Sequence, residues 1–111
     1  MPTDIAERYF ASVRARDIDA FMALFAEDAT FILPDGRQYS GAEAIRSMEQ
    51  AVFASANPPL PRPRHVVAGA TSLAVEIEVE LPNGALFRMG SFYQLNNAGL
   101  IQRLSIYRQG N

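Results

Sequence analysis

Any chemistry in this chain of 111 residues has to come from a narrow set of side chains. There is no cysteine, which excludes thiolate nucleophiles, disulfides, iron–sulfur clusters and thiolate zinc sites. All ten basic side chains are arginine, so no lysine amine can form a Schiff base. The single histidine, His65, cannot build a His-rich metal cage, and no carboxylates stand at ligand-like spacing from it. No metal or other cofactor is expected. Tyr, Ser, Asp, Glu, Arg and that one His remain.

Most of the carboxylates have structural explanations. Asp35 lies in Pro34-Asp35-Gly36, which is turn chemistry. Asp17 reads as a helix N-cap and Glu27-Asp28 as a helix-end turn. Glu76, Glu78 and Glu80 alternate with Val75, Ile77 and Val79, so they share the polar face of a strand and can pair with Arg88 and Arg103. Exposed pairs of that kind contribute under about 1 kcal/mol each. His65 opens the first long strand, and histidine is the residue type suited to carrying a proton near neutral pH. A lone histidine there serves either as a structural strand end or as a proton carrier.

Three helices should position these residues. Asp4 and Glu7 form a cap-like start, and Ile5, Tyr9 and Val13 recur on one face of a helix running to about Ala15. Asp17 caps a second helix with the apolar stripe Ile18, Phe21, Met22 and Phe25. Thr30–Leu33 and Arg37–Tyr39 read as short strands around the Pro34-Asp35-Gly36 turn. Ser40 and Glu43 make a capping box for a third helix, with Ile45, Met48 and Val52 inward. Asn57-Pro58-Pro59 ends that helix, and the following prolines suggest an extended connector.

Beyond Arg64 the pattern is antiparallel sheet. Leu73 to Leu81 alternate with a period of two, Pro82-Asn83-Gly84 signals a hairpin, and Phe87, Met89, Ser91, Tyr93 and Leu95 alternate against Arg88, Gly90, Phe92 and Gln94. Parity then sets Glu78 opposite Arg88 and Val75 opposite Ser91, which turns Ser91 inward. After Asn97-Ala98-Gly99 a last strand should turn Leu104 and Ile106 in, and Arg103, Ser105 and Tyr107 out. The expected architecture is α+β, a cone of three helices closing the concave face of a strongly curved antiparallel sheet. One domain over residues 1–111 suits the length.

With 49% apolar residues and a charge of −2, the chain suits a soluble globule and argues against nucleic-acid binding. No apolar run approaches about 20 residues, and the N-terminus is unlike a signal peptide, so a cytoplasmic location without membrane contact is expected.

The segment from Asp17 to Gly36, DIDAFMALFAEDATFILPDG, resembles the second helix and first hairpin of the SnoaL-like, ketosteroid-isomerase-like branch of the nuclear transport factor 2-like superfamily. The resemblance runs from AERYF through LSIYRQ, and includes LFAEDA, the PDG hairpin and the G-x-E-A-I helix start. It implies the cystatin-like cone already expected from the pattern. In ketosteroid isomerases a first-helix tyrosine and a protonated aspartate donate to the developing oxyanion while a second aspartate moves the proton. By alignment the tyrosine is Tyr9, in ERYFASV, the oxyanion aspartate falls at Ser91, and the base falls at Leu33. Ketosteroid isomerase activity itself is therefore not expected.

Two functions are consistent with these residues. In the first, the cone binds a small, mostly apolar molecule, with Tyr9 and Ser91 orienting one polar group. Phe25, Phe31, Leu33, Met48, Val52 and Val75 would line the cavity from one side, and Phe87, Met89, Tyr93, Leu104 and Ile106 from the other. In the second, the chain is a SnoaL-like isomerase, cyclase or epoxide hydrolase acting on a polyketide-, terpenoid- or steroid-like substrate. Tyr9 would then polarise an oxygen, and His65 or a water would carry the proton. The inward strand positions hold no carboxylate, which favours the binder. Phe92, Ile101 and Tyr107 should lie on the convex side of the sheet beside Arg103, an aromatic patch with charged edges. The family commonly dimerises through this face, so a homodimer is expected.

Overall fold

The computed structural model describes residues 2–55, 60–81 and 83–109. The first helix, α1, covers Pro2–Ala15 and starts two residues before Asp4, with proline in a first turn whose N–H groups have no helical partner. Ile5, Ala6, Tyr9 and Phe10 form its buried face. Asp17 caps α2 as expected, accepting from the Ala20 N–H at 3.1 Å. That helix is only Ile18–Met22, because Phe25 belongs to β1, Phe25–Ile32. Glu27 and Asp28 are exposed strand residues and not a helix-end turn.

The hairpin to β2, Gln38–Ser40, is closed by Asp35. Its carboxylate accepts from the Arg37 N–H at 3.0 Å and from Arg37 Nε at 2.7 Å. The Arg37 N–H comes first among the contacts that hold this carboxyl below its ordinary value. Asp35 is a turn residue.

The third helix, α3, spans Ala42–Ala54, and its start corrects the expected capping box. Ser40 stays in β2, and the N-cap is Gly41, which makes no side-chain cap. Gly41 has φ +93°, a left-handed conformation that glycine adopts without strain. The buried stripe of α3 is also displaced. It runs Ile45, Glu49, Phe53, while Met48 is half-buried and Val52 is 38% exposed.

Four long strands follow: β3 Leu60–Ala68, β4 Ser72–Glu80, β5 Leu86–Leu95 and β6 Ile101–Arg108. Asn57-Pro58-Pro59 lies outside the described residues, but the proline-rich stretch after it is strand and not connector. Proline is tolerated there because β3 is an edge of the sheet, whose order is β2-β1-β6-β5-β4-β3. The β4–β5 hairpin has the expected register, with Glu78 opposite Arg88 and Val75 opposite Ser91. Among the described residues all strand pairings are antiparallel except β1 with β6, which is parallel. The result is an α+β fold with helices packed on one face of a curved six-stranded sheet.

The core is aromatic. Tyr9 packs on Phe10, Phe21 and Tyr93, Phe21 on Phe25 and Phe53, and Phe25 on Phe31, with ring centroids 5.0–6.2 Å apart. Burying one such side chain contributes about 1.5–3 kcal/mol. The exposed Arg46–Asp19 ion pair at 3.1 Å, which links α3 to α2, contributes under about 1 kcal/mol. Burial therefore decides how the helices sit.

Candidate functional site

The helices divide the concave face between them. α1 packs against β3 and β4, and α3 against β1 and β2. Between them the inner residues Phe87 and Met89 of β5 and Ile106 of β6 are only half-buried. Leu33 and Met48 continue this half-buried apolar rim on the α3 side. The deeper expected lining residues, Phe25, Phe31, Val75, Tyr93 and Leu104, are fully enclosed core. Val52 does not join the rim, because α3 turns it toward solvent.

Tyr9 comes to this region from α1, and Glu49 faces it from α3. They are only 7% and 6% exposed. Burial raises the Tyr9 hydroxyl well above its ordinary value, and the nearby Tyr93 hydroxyl and Glu49 carboxylate raise it further. Burial alone pushes Glu49 up to about 7. Among the described residues neither side chain has a hydrogen-bond partner, yet no sealed side-chain polar atom is left unsatisfied. Their polar ends therefore keep a trace of exposure, and Glu49 lies near enough for its charge to act on the Tyr9 hydroxyl.

Ser91 is inward and buried as expected, but it is not free. Its hydroxyl donates to the Tyr93 hydroxyl at 3.2 Å. Tyr93 retains its own proton, and burial raises its hydroxyl above the ordinary value. Tyr9 and Glu49 are thus buried polar side chains of this region, and the Ser91–Tyr93 pair meets Tyr9 through the Tyr93 ring. Leu33 offers no carboxylate, and the buried acidic group of this region is Glu49 on α3.

Glu49 was missed because glutamate is normally assigned to a solvated helix face. The available signal was the i, i+4, i+8 spacing of Ile45, Glu49 and Phe53, which completes a stripe as well as Met48 and Val52 do. The expectation of no inward carboxylate concerned the strands alone, and this one stands on a helix.

His65 is not brought to Tyr9. A bulge between Pro63 and His65 shifts the register, pairing His65 with Glu76 on the convex face. There it lines a concavity of about 730 Å³ with Glu76, Arg88, Phe92 and Tyr107, over a floor opened by Gly90. A second concavity of about 500 Å³ on the same side is bordered by Val67, Phe92, Arg103 and Tyr107. Phe92 and Tyr107 are 54% and 57% exposed and stack edge to face at 5.5 Å. Ile101 does not belong to this patch. A bulge between Gln94 and Leu95 reverses its parity and buries it completely beside Phe25.

Among the described residues no cluster of three His, Asp or Glu side chains could hold a metal ion. Nor is any described helix long and apolar enough to cross a membrane.

The helices on a curved sheet are those of a nuclear transport factor 2-like, ketosteroid-isomerase-like fold. A candidate ketosteroid isomerase from Kribbella flavida superposes with a TM-score of 0.86 at 21% identity, covering 99% of this chain and 78% of its own. The epoxide hydrolase/cyclase-like enzyme SalBIII, of pyran ring formation in salinomycin, gives 0.81 at 23%, covering 96% and 89%. A candidate polyketide cyclase from Sinorhizobium meliloti gives 0.81 at 25%, covering 93% of each chain. No curated protein matches the chain at a significant level. The model of the SnoaL-like domain matches residues 6–104, and the chain belongs to that family.

Proposed function

We propose that the protein binds a small, mostly apolar molecule on the inner face of the cone between α1 and α3, oriented by the Tyr9 hydroxyl. The observation that carries this reading is Tyr9, a buried hydroxyl with no hydrogen-bond partner among the described residues, in a core flanked by half-buried apolar side chains. Such a combination of apolar walls and few polar groups suits small-molecule recognition. Native mass spectrometry of the protein as purified tests it, since a reproducible adduct would identify the ligand chemistry. Against such a ligand, Tyr9→Phe should weaken binding by about 0.5–1.5 kcal/mol, the contribution of a neutral hydrogen bond. Equal titration isotherms for the two proteins would return Tyr9 to the core.

The ligand is smaller than a steroid. Phe21, Phe31 and Tyr93 fill the depth of the cone, so a rigid four-ring body has no room there. The base position at Leu33 is also vacant of acid. A Δ5-3-ketosteroid should therefore not be isomerised above the buffer rate, and robust turnover in a spectrophotometric assay would overturn both points.

The convex face is proposed to pair with a second copy of the chain. Exposed Phe92, Tyr107 and Val67 supply an apolar centre, and Glu76, Arg88 and Arg103 supply both signs of charge around it. A self-complementary surface of this kind suits a twofold dimer.

A second reading is turnover of the bound molecule, as in neighbours described as cyclases. It requires a proton acceptor beside Tyr9.

A further inference from the structure

Arg108, the last residue of β6, stands opposite Met89 of β5, so its side chain shares the inner face of the sheet with Met89 and Ile106. Its guanidinium carbon lies 4.4 Å from the centre of the Phe87 ring. Phe87, Met89 and Ile106 are the half-buried apolar residues of that face. The ring attracts the cation and holds it in place. Stacking uses the flat side of the guanidinium and leaves the N–H groups, which lie in its plane, to bond at the edge.

Among the described residues no acid answers this cation. The ion pairs join Arg37 to Asp35, Arg46 to Asp19 and Arg62 to Glu80, and none reaches Arg108. Glu76, Glu78 and Glu80 project from the convex side with Arg88. Arg88 and Arg103 also lack a close acid, but they stand on that charged outer face. Arg108 instead sits beside apolar side chains, on a stacked and therefore fixed platform.

We propose that Arg108 anchors the acid group of the inner-face ligand, which is a small monocarboxylate with an apolar body. This rests on the inner face binding a small apolar molecule. The edge of a guanidinium presents two parallel N–H groups, which match the two oxygens of a carboxylate. One guanidinium balances one negative charge, so the match is to a monoanion. Beside Phe87 and Met89 the pair is partly shielded from water, which makes it stronger than a fully exposed ion pair. Tyr9, packed on Tyr93, marks the deep end of the face. Tyr93 lies four positions along β5 from Met89, about 13 Å, so a body of one or two rings fits between the two polar groups.

The test compares 2-naphthylacetate with the neutral 2-naphthylacetamide, which has the same two-ring body, on the full chain at neutral pH and low salt. Binding is read from the Met89 methyl signal and the Leu33, Met89 and Ile106 amides. The acid should bind at least about tenfold more tightly than the amide, and added salt should narrow the gap. Arg108→Gln should bring the ratio of the two affinities close to one, with the amide spectrum still folded. The ratio is insensitive to any general loss of packing on Phe87. Arg108→Lys, which keeps the charge but not the fork, should retain part of the preference. Equal affinities in the wild type, or a preference that survives Arg108→Gln, would overturn the role of Arg108 alone. If neither probe shifts those signals, the binding reading falls and this proposal with it.

Discussion

Glu49→Gln is expected to stabilise the protein at pH 8 by on the order of 3 kcal/mol and to change little at pH 4. The exposed carboxyl of the unfolded chain titrates at its ordinary value of 4.5, and burial raises the folded value to about 7. Below 4.5 the group is neutral in both states and costs nothing. Between 4.5 and 7 the unfolded chain releases a proton that the folded chain keeps, so stability falls as pH rises. Above 7 the loss is complete and constant. Glutamine is neutral throughout and nearly isosteric, so it removes the alkaline penalty, less whatever its amide needs in hydrogen bonds. Urea melts at the two pH values measure the difference, which corresponds to about 13 °C in Tm at pH 8. The same ΔΔG at pH 4 and pH 8 would mean that Glu49 is not a buried titrating group.

The second large effect concerns the proposed dimer. Phe92→Glu should dissociate it, raising Kd by roughly a thousandfold. The twofold places two substituted rings in one interface, and loss of each anchor removes about 2 kcal/mol. The new carboxylate would also stand among Glu76, Glu78 and Glu80 on the same face. Sedimentation velocity over a range of concentrations separates the outcomes. A mutant that sediments as the wild type would remove this face as the interface.

The β4–β5 hairpin was legible to the residue, since strict alternation on both sides of a turn leaves one register that buries the apolar rows. Tyr9 and Ser91 were legible as inward residues for related reasons, by helical spacing and by parity. The bulges were not. One reversed His65 and another reversed Ile101, because a single extra residue changes the facing of every neighbour and has no consistent mark in composition. The end of α2 was hidden too, since Phe25 continues the helical stripe from Phe21 and equally begins a strand. Glu49 was hidden for a different reason. Apolar patterning ranks Met48 and Val52 above it, and only the tertiary placement of α3 decides which stripe is buried.

The lone parallel pairing, β1 with β6, joins the two ends of the chain in the middle of the sheet. Phe25 meets Ile101 and Ile32 meets Ser105, so the contact closes a loop of more than seventy residues. During synthesis the first helices, β1, β2 and α3 emerge early, yet one edge of β1 has nothing to bond until Ile101–Arg108 has been made. Non-local pairing of this kind is slow and leaves the early segment exposed to wrong partners. Folding is therefore expected to finish only after translation has passed β6, and the nascent N-terminal half is where chaperone capture or aggregation would begin.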